Sequence, residues 1–173
     1  MKKLLLLISI PLLFISCSCN RKQKPVNITP QTIKEPMIKV NKSKVQMESE
    51  QIEHYIKRHK IPVERSGTGL RYYIYHKGNG PQAHEGQVAK VNFTVKLLNG
   101  EEVYSTKETG PQEFLIGMDN VESGLHEGIT YMHVGDKAIL ILPSHLAHGL
   151  LGDRNKIPPR STIIYDIELL ELK

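Results

Sequence analysis

Residues 87–102, QVAKVNFTVKLLNGEE, alternate apolar and polar side chains up to an Asn-Gly pair. Every second residue from Ala89 to Leu97 is apolar, and the residues between them are polar. This period of two is typical of an antiparallel strand with one buried face. Asn99-Gly100 favours a tight turn, because both of its central residues need positive φ. The stretch therefore predicts a strand, a hairpin turn and a returning strand over residues 101–106.

Similar patterns continue on both sides of this hairpin. Asp119 and Asn120 provide a helix start, and Leu125, Ile129 and Met132 share one helical face. The other predicted strands cover residues 70–75, 113–116, 137–142 and 162–172. These five or six strands and one helix predict an α+β fold, in which an antiparallel half-barrel wraps on one short helix.

The N-terminus has the three-part form of an export signal. Two lysines precede a twelve-residue apolar run, residues 4–15, which is too short to span a bilayer comfortably. The tetrapeptide Phe14-Ile15-Ser16-Cys17 resembles a bacterial lipobox, whose cysteine is acylated and becomes the first residue of the mature chain. We therefore expect residues 1–16 to be a lipoprotein signal peptide and Cys17 to carry the lipid. A lipid-anchored protein of the cell envelope that faces the periplasm follows, with a soluble exported protein as the alternative.

The chain between this signal and the folded part divides in two. Residues 17–45 are rich in Pro and Lys, which predicts a flexible basic linker. Residues 46–60 are rich in helix formers, and Ile52, Tyr55 and Ile56 form one narrow apolar stripe. We therefore expect an N-terminal helix and a connection over residues 46–69, followed by one domain over residues 70–173.

Charge and cysteine content exclude several classes of function. Residues 20–45 carry seven Lys or Arg and one Glu, whereas residues 86–173 carry eight Lys or Arg and twelve Asp or Glu. The positive charge thus belongs to the predicted linker, so we expect no nucleic-acid partner. The two cysteines, Cys17 and Cys19, precede the domain, so the domain has no thiol or disulfide.

Two other kinds of site receive little support from the sequence. His145 and His148 are three residues apart with Asp153 nearby, which is a conceivable metal-binding set, although chance clustering among eight histidines is the favoured explanation. Ser144 and His145 are sequence neighbours without a nucleophile elbow, which disfavours a hydrolase. We expect neither a metal nor a cofactor.

The layout of residues 70–173 resembles the FKBP family of peptidyl-prolyl isomerases. The most specific parts are Val121-x-x-Gly124-Leu125-x-x-Gly128 at the helix and Ile157-Pro158-Pro159 before the last strand. Within the family, residues 146–150 and 152–158, together with the lipobox, are most similar to the gliding-motility-associated lipoproteins of Bacteroidetes.

The resemblance implies isomerisation of X-Pro bonds in exported polypeptides, by desolvation and hydrogen-bond positioning, without a covalent step. It implies proline-containing clients, a membrane contact through the lipid, and a monomer. It places the backbone N–H of Ile157 against a substrate carbonyl. The site residues that it implies are Phe93, Tyr104, Phe114, Val121, Leu125, His148, Ile157 and Tyr165.

Several positions depart from the family pattern. Val103-Tyr104 replaces a Phe-Asp pair, and Gln112, Glu122 and Lys156 stand where apolar or aromatic residues are common. We therefore predict a more polar pocket, weak isomerase activity and poor tacrolimus binding. His148 replaces a Tyr, which suggests pH sensitivity near neutrality. The alternative function is a catalytically weak or inactive chaperone or binding module of the cell envelope.

Overall fold

The computed structural model describes residues 30–173. The predicted signal peptide, the predicted lipid attachment at Cys17 and residues 17–29 of the predicted linker lie outside the described residues. Within the described part, no helix is long and apolar enough to cross a membrane.

One antiparallel sheet organises the domain. Its strands in the described chain are β1 (Glu64–Arg65), β2 (Arg71–His76), β3 (Val88–Leu97), β4 (Glu102–Ser105), β5 (Gln112–Leu115), β6 (Lys137–Leu142) and β7 (Ile163–Leu172). Their order is β1-β2-β6-β7-β3-β4, and β5 also pairs with β3. The predicted α+β class and antiparallel sheet are confirmed, and the two-residue β1 adds a seventh strand to the five or six expected.

Strand β3, which carries the alternating sequence, pairs with three other strands. It pairs with β7 along its whole length, from Ala89 opposite Leu172 to Leu97 opposite Ile163. On its other side it pairs first with β5 and then with β4. Ala89, Val91, Val95 and Leu97 of β3 are buried in the core, whereas Phe93 is only partly buried. This partial exposure leaves the Phe93 ring available to a cavity.

Helix α2 (Ser123–Thr130) covers one face of the sheet. Gly124, Leu125, Gly128 and Ile129 are buried against the core. The predicted helix is thus present, but its predicted cap is wrong. The N-cap residue is Glu122, and its side chain makes no capping hydrogen bond. The carboxylate of Asp119, which was expected to cap the helix, accepts instead from the Leu115 N–H at 2.7 Å.

Helix α1 (Pro30–His59) packs through its C-terminal half on the opposite face. Ile52 and Ile56 are buried against Ile141 and Ile164. The helix begins at Pro30 rather than at Gln46, so the linker prediction is wrong for residues 30–45. Proline is well tolerated in the first turn of a helix, where its missing N–H has no intrahelical partner, and the chain contains neither Gly nor Pro from residue 37 to the end of α1.

Candidate active site

A cavity of about 650 Å³ opens on the side of the sheet that α2 covers. All eight residues that the sequence singled out line it: Phe93, Tyr104, Phe114, Val121, Leu125, His148, Ile157 and Tyr165. They come from four strands (β3, β4, β5 and β7), from α2 and its approach, and from the loop before β7. The structure therefore brings together residues that lie up to 72 positions apart in the chain.

The cavity has an apolar floor. The rings of Phe93 and Tyr165 meet edge to face, with centroids 5.4 Å apart. Phe114, Leu125 and Ile157 are almost fully buried beside them. Strand alternation explains part of this placement, because Phe93 and Val95 lie two residues apart on β3 and both line the cavity, as do Phe114 of β5 and Tyr165 of β7. Such a surface favours a compact apolar group, since contact with it removes apolar area from water.

A carboxylate joins the apolar floor to the polar wall of the cavity, which is formed by Tyr104, Glu122, His148 and Asp153. The Tyr165 hydroxyl donates to one oxygen of Glu122 at 3.0 Å, and Nε2 of His148 lies 2.9 Å from the other oxygen. Burial, together with the negative charge of Glu122 and this hydrogen bond, raises the pKa of Tyr165 well above its ordinary value. The bridge connects the start of α2, strand β7 and the loop that follows the 3₁₀ turn Ser144–Leu146. The proposed pH sensitivity of His148 stays a prediction.

A second carboxylate, Asp153, organises the loop before β7. It accepts from the Tyr104 hydroxyl in a short hydrogen bond, and from the backbone N–H groups of Asn155 and Ile157 at 2.8 and 2.7 Å. Burial alone favours the neutral acid, but these hydrogen bonds outweigh it and lower the pKa of Asp153 from 3.8 to about 2. The carboxylate also raises the pKa of the Tyr104 hydroxyl. Asp153 is therefore ionised at neutral pH.

The Ile157 N–H donates to Asp153 Oδ1 at 2.7 Å, and its expected role toward a substrate carbonyl stays a prediction. The N–H of Glu122, at the start of α2, has no acceptor within residues 30–173. Since Glu122 also lines the cavity, its backbone is the better candidate to bind a ligand carbonyl.

Gly152 allows the loop to close on itself. Its φ is +67°, and an added Cβ would lie 2.1 Å from the carbonyl oxygen of Ile157. Only a glycine fits this close approach of two backbone segments. The loop that carries Asp153 and Ile157 is thus fixed by its own backbone as well as by the Asp153 hydrogen bonds.

The departures from the family pattern occupy different places. Val103 is 2% exposed in the core, and Gln112 and Glu122 line the cavity. Lys156 lies beside the site, with Nζ 5.3 Å from the centre of the Tyr104 ring. Tyr104, which stands where the family pattern has an Asp, places a hydroxyl rather than a carboxylate on the cavity wall.

The three residues of the conceivable metal set bind different partners. His145 Nε2 contacts the Thr68 carbonyl oxygen at 3.0 Å, His148 contacts Glu122, and Asp153 binds Tyr104 and backbone N–H groups. No group of three or more potential ligands that could hold a metal occurs among residues 30–173.

Sequence reasoning missed the roles of Asp153 and of the Glu122 carboxylate. An Asp that accepts from N–H groups two and four residues ahead is a common loop device, so the position of Asp153 before Ile157 could have suggested it. The bond between Glu122 and Tyr165 joins residues 43 positions apart and has no periodic signature.

Comparisons with known proteins agree with the fold and the cavity. Residues 80–170 match the family of FKBP-type peptidyl-prolyl cis-trans isomerases. The chain is 33% identical over 111 residues to the isomerase FkpA of Escherichia coli, which covers 64% of this chain and 40% of that protein. It is 29% identical over 159 residues to a probable FKBP-type isomerase of Haemophilus influenzae, which covers 88% of this chain and 65% of that protein.

The crystal structure of FkpA from Escherichia coli is similar in fold. It superposes with a TM-score of 0.65 at 28% identity, and the match covers 85% of this chain and 74% of that one. The chain spans less than two thirds of the length of the two curated relatives named above, FkpA and the Haemophilus influenzae protein.

Proposed function

Because the chain belongs to the FKBP-type peptidyl-prolyl cis-trans isomerase family, we propose that it isomerises X-Pro bonds of exported proteins. The observation that carries this proposal is the convergence of eight sequence-predicted residues around one cavity of about 650 Å³. Rotation about a peptide bond must cross a barrier of roughly 18–20 kcal/mol. No covalent bond forms or breaks, so side chains that shape and desolvate the substrate are sufficient.

The floor and the wall act on different parts of the substrate. The proline ring is expected on the apolar floor formed by Phe93, Phe114 and Leu125, where its burial provides binding energy. The twisted amide has lost its charge-separated resonance form, so its transfer out of water costs less than that of the planar amide. The cavity then binds the transition state more tightly than the ground state, which is the condition for rate enhancement. The N–H of Glu122 is the proposed donor to the adjacent carbonyl.

The test is a prolyl-peptide isomerisation assay on the full-length protein. Phe93→Ala should lower kcat/KM by about tenfold or more, because it removes one of the aromatic rings that form the apolar floor. Tyr73→Ala, which changes an aromatic residue outside the cavity, is the matched control and should stay within about twofold. Thermal unfolding of both variants separates loss of fold from loss of the site. Wild-type protein that fails to accelerate any proline peptide would contradict the proposal.

A binding or chaperone module is the second candidate function. One observation favours it: the cavity lining includes the polar side chains of Gln112 and Glu122, which desolvate a substrate amide less well than apolar residues. In that case the protein would bind proline-containing peptides and suppress aggregation of a refolding client without accelerating its prolyl steps. Refolding of a proline-limited client, followed by both rate and yield, distinguishes the two functions.

The location of the protein is a further part of the proposal. We expect acylation at Cys17 and a position in the cell envelope, facing the periplasm. Metabolic labelling with an alkyne fatty acid should mark the wild type and the Cys19→Ala variant but not Cys17→Ala; labelled Cys17→Ala would contradict this. A role in gliding motility rests on the resemblance of residues 146–158 and of the lipobox, and normal surface movement of a deletion strain would contradict it.

A further inference from the structure

We infer that the cavity selects X-Pro segments by charge, and that Glu122 makes it prefer a Lys or Arg next to the proline over an acidic residue. This inference rests on the proposed function, because it concerns the substrates of the same cavity. Three features support it: the geometry of the Glu122 carboxylate, the charges of the rest of the lining, and the place of Glu122 relative to the apolar floor.

The Glu122 carboxylate is held in place with acceptor capacity to spare. Its side chain is 12% exposed, and each oxygen has one partner within the protein, Tyr165 or His148. An ionised carboxylate offers about four acceptor positions. About two positions therefore remain for a ligand, and an Arg or Lys side chain is the natural donor because charge-assisted hydrogen bonds are the stronger kind.

The remaining lining adds negative charge and little positive charge. Besides Glu122 it contains the carboxylates of Asp153 and Glu113 and no Lys or Arg among the described residues. Lys156, whose Nζ is 5.3 Å from the centre of the Tyr104 ring, stands beside the lining rather than in it. Asp153 is ionised at neutral pH, with a pKa of about 2. Glu113 is compensated in part by Lys173, whose Nζ lies 2.7 Å from its Oε1. Charges of one sign in a concave site focus the field on a ligand there.

Glu122 lies where the floor meets the wall. Its carboxylate bonds to the hydroxyl of Tyr165, whose ring packs edge-on against Phe93 of the floor. Consecutive Cα atoms are about 3.8 Å apart, so a proline ring on the floor places its neighbouring residues next to this carboxylate. A cationic neighbour is then attracted and an acidic neighbour is repelled, at a site partly screened from water.

The experiment measures kcat/KM of the full-length protein at pH 8 on proline tetrapeptides that differ in one residue. Lys, Leu or Glu stands directly before the proline in one series and directly after it in the other. We expect kcat/KM for Lys to exceed that for Glu by about tenfold at one of the two positions, and 0.5 M NaCl should reduce this ratio. A ratio below two at both positions, with clear isomerase activity on the Leu peptides, overturns the inference and leaves the proposed function standing.

Two variants assign the effect to one carboxylate. Glu122→Gln removes the charge but keeps an acceptor for Tyr165, so the Lys-to-Glu ratio should fall to about two, whatever the rate on the Leu peptides. Glu127→Gln is the matched control on the same helix: Glu127 accepts from Thr68 and Tyr131, lies outside the cavity lining, and should keep the wild-type ratio. A ratio that persists in Glu122→Gln, or that falls equally in Glu127→Gln, overturns the assignment.

The two proposals fail in different ways. If the wild type accelerates none of the peptides, the isomerase proposal is contradicted, and the charge preference is then read from the Kd of the same peptides in fluorescence anisotropy. Tenfold tighter binding of the Lys peptide, reduced in Glu122→Gln, supports the inference for a binding module. Equal Kd values for the Lys and Glu peptides overturn it.

Discussion

The two faces of the sheet hold their helices by different kinds of contact. Helix α2 lies so close to the sheet that an added Cβ at Gly124 would be 2.6 Å from Cγ of Leu142, and one at Gly128 would be 2.6 Å from Cδ1 of Leu140. Helix α1 buries Ile52 and Ile56, packs the partly buried Tyr55 beside them, and adds side-chain hydrogen bonds to the domain. The face with the cavity is therefore the closely packed one.

The polar contacts of α1 use two of its carboxylates. Glu48 accepts from the N–H and the hydroxyl of Ser144 at 2.7 and 2.9 Å, and from the Thr162 hydroxyl at 2.8 Å. Arg71, whose side chain is 3% exposed, donates to Glu53 at 2.9 Å and to Ser49 at 2.8 Å. A hydrogen bond within the protein replaces one with water, so its net contribution to the free energy of unfolding is small. We therefore expect α1, which relies in part on hydrogen bonds, to separate from the sheet before the closely packed α2 does.

The largest effect is expected on the α2 face. Gly124→Ala should lower the free energy of unfolding by about 2–3 kcal/mol, because the new methyl group meets Leu142 and Leu146 in a core without room for it. Urea denaturation measures this change. Gly67→Ala is the control, since nothing lies within 4 Å of its added Cβ, and it should change stability by less than about 0.5 kcal/mol. Equal stability of the two variants would show that the close approach of α2 is not required.

A smaller and more local effect is expected on the α1 face. Glu48→Ala should cost about 1–2 kcal/mol, because it leaves the Ser144 N–H and the buried Thr162 hydroxyl without their acceptor. Hydrogen exchange should accelerate over residues 48–59, while β3, β6 and β7 keep their protection. The exposed Glu50, which bonds only to Gln46 of the same helix, provides the control Glu50→Ala. Uniform acceleration over the whole domain would contradict separate release of α1.

The smallest effect concerns the cavity loop and depends on pH. The folded protein lowers the pKa of Asp153 from 3.8 to about 2, so folding favours the carboxylate. Its contribution is complete above about pH 4 and is lost as the pH falls toward 2. After allowance for solvent screening, Asp153→Asn should cost about 1 kcal/mol at pH 7 and less at pH 3.

Glu108→Gln, at an exposed residue, is the control for this pH dependence. Chemical denaturation at both pH values measures the difference for each variant. A cost for Asp153→Asn that is equal at pH 7 and pH 3 would contradict the role of the ionised carboxylate.

The sequence allowed prediction of features that depend on period and turn chemistry. The alternation in β3 and the Asn-Gly signal predicted the central hairpin, although only Gly100 of the pair has positive φ. Leu125 and Ile129 predicted the helix, and Met132 lies just beyond its end. The convergence of the site residues was predicted from the family resemblance. The structure places Phe93 and Tyr165 on the paired strands β3 and β7. The prediction failed for residues 30–45 of α1, because the prolines suggested a linker although Pro30 begins the helix and Pro36 lies within it. It also failed for the hydrogen bonds of Glu122 and Asp153, which depend on atomic positions in the folded loops.

The short outer strands of the sheet have a consequence for the proposed isomerase function. The sheet order ends in β1, which has two charged and exposed residues, and in β4, which has four residues. A long unpaired strand would offer backbone N–H and carbonyl groups to any extended polypeptide and would invite edge-to-edge aggregation. Because both terminal strands are short, we expect a client of the proposed isomerase to enter the cavity and leave again without adding to the sheet as an extra strand.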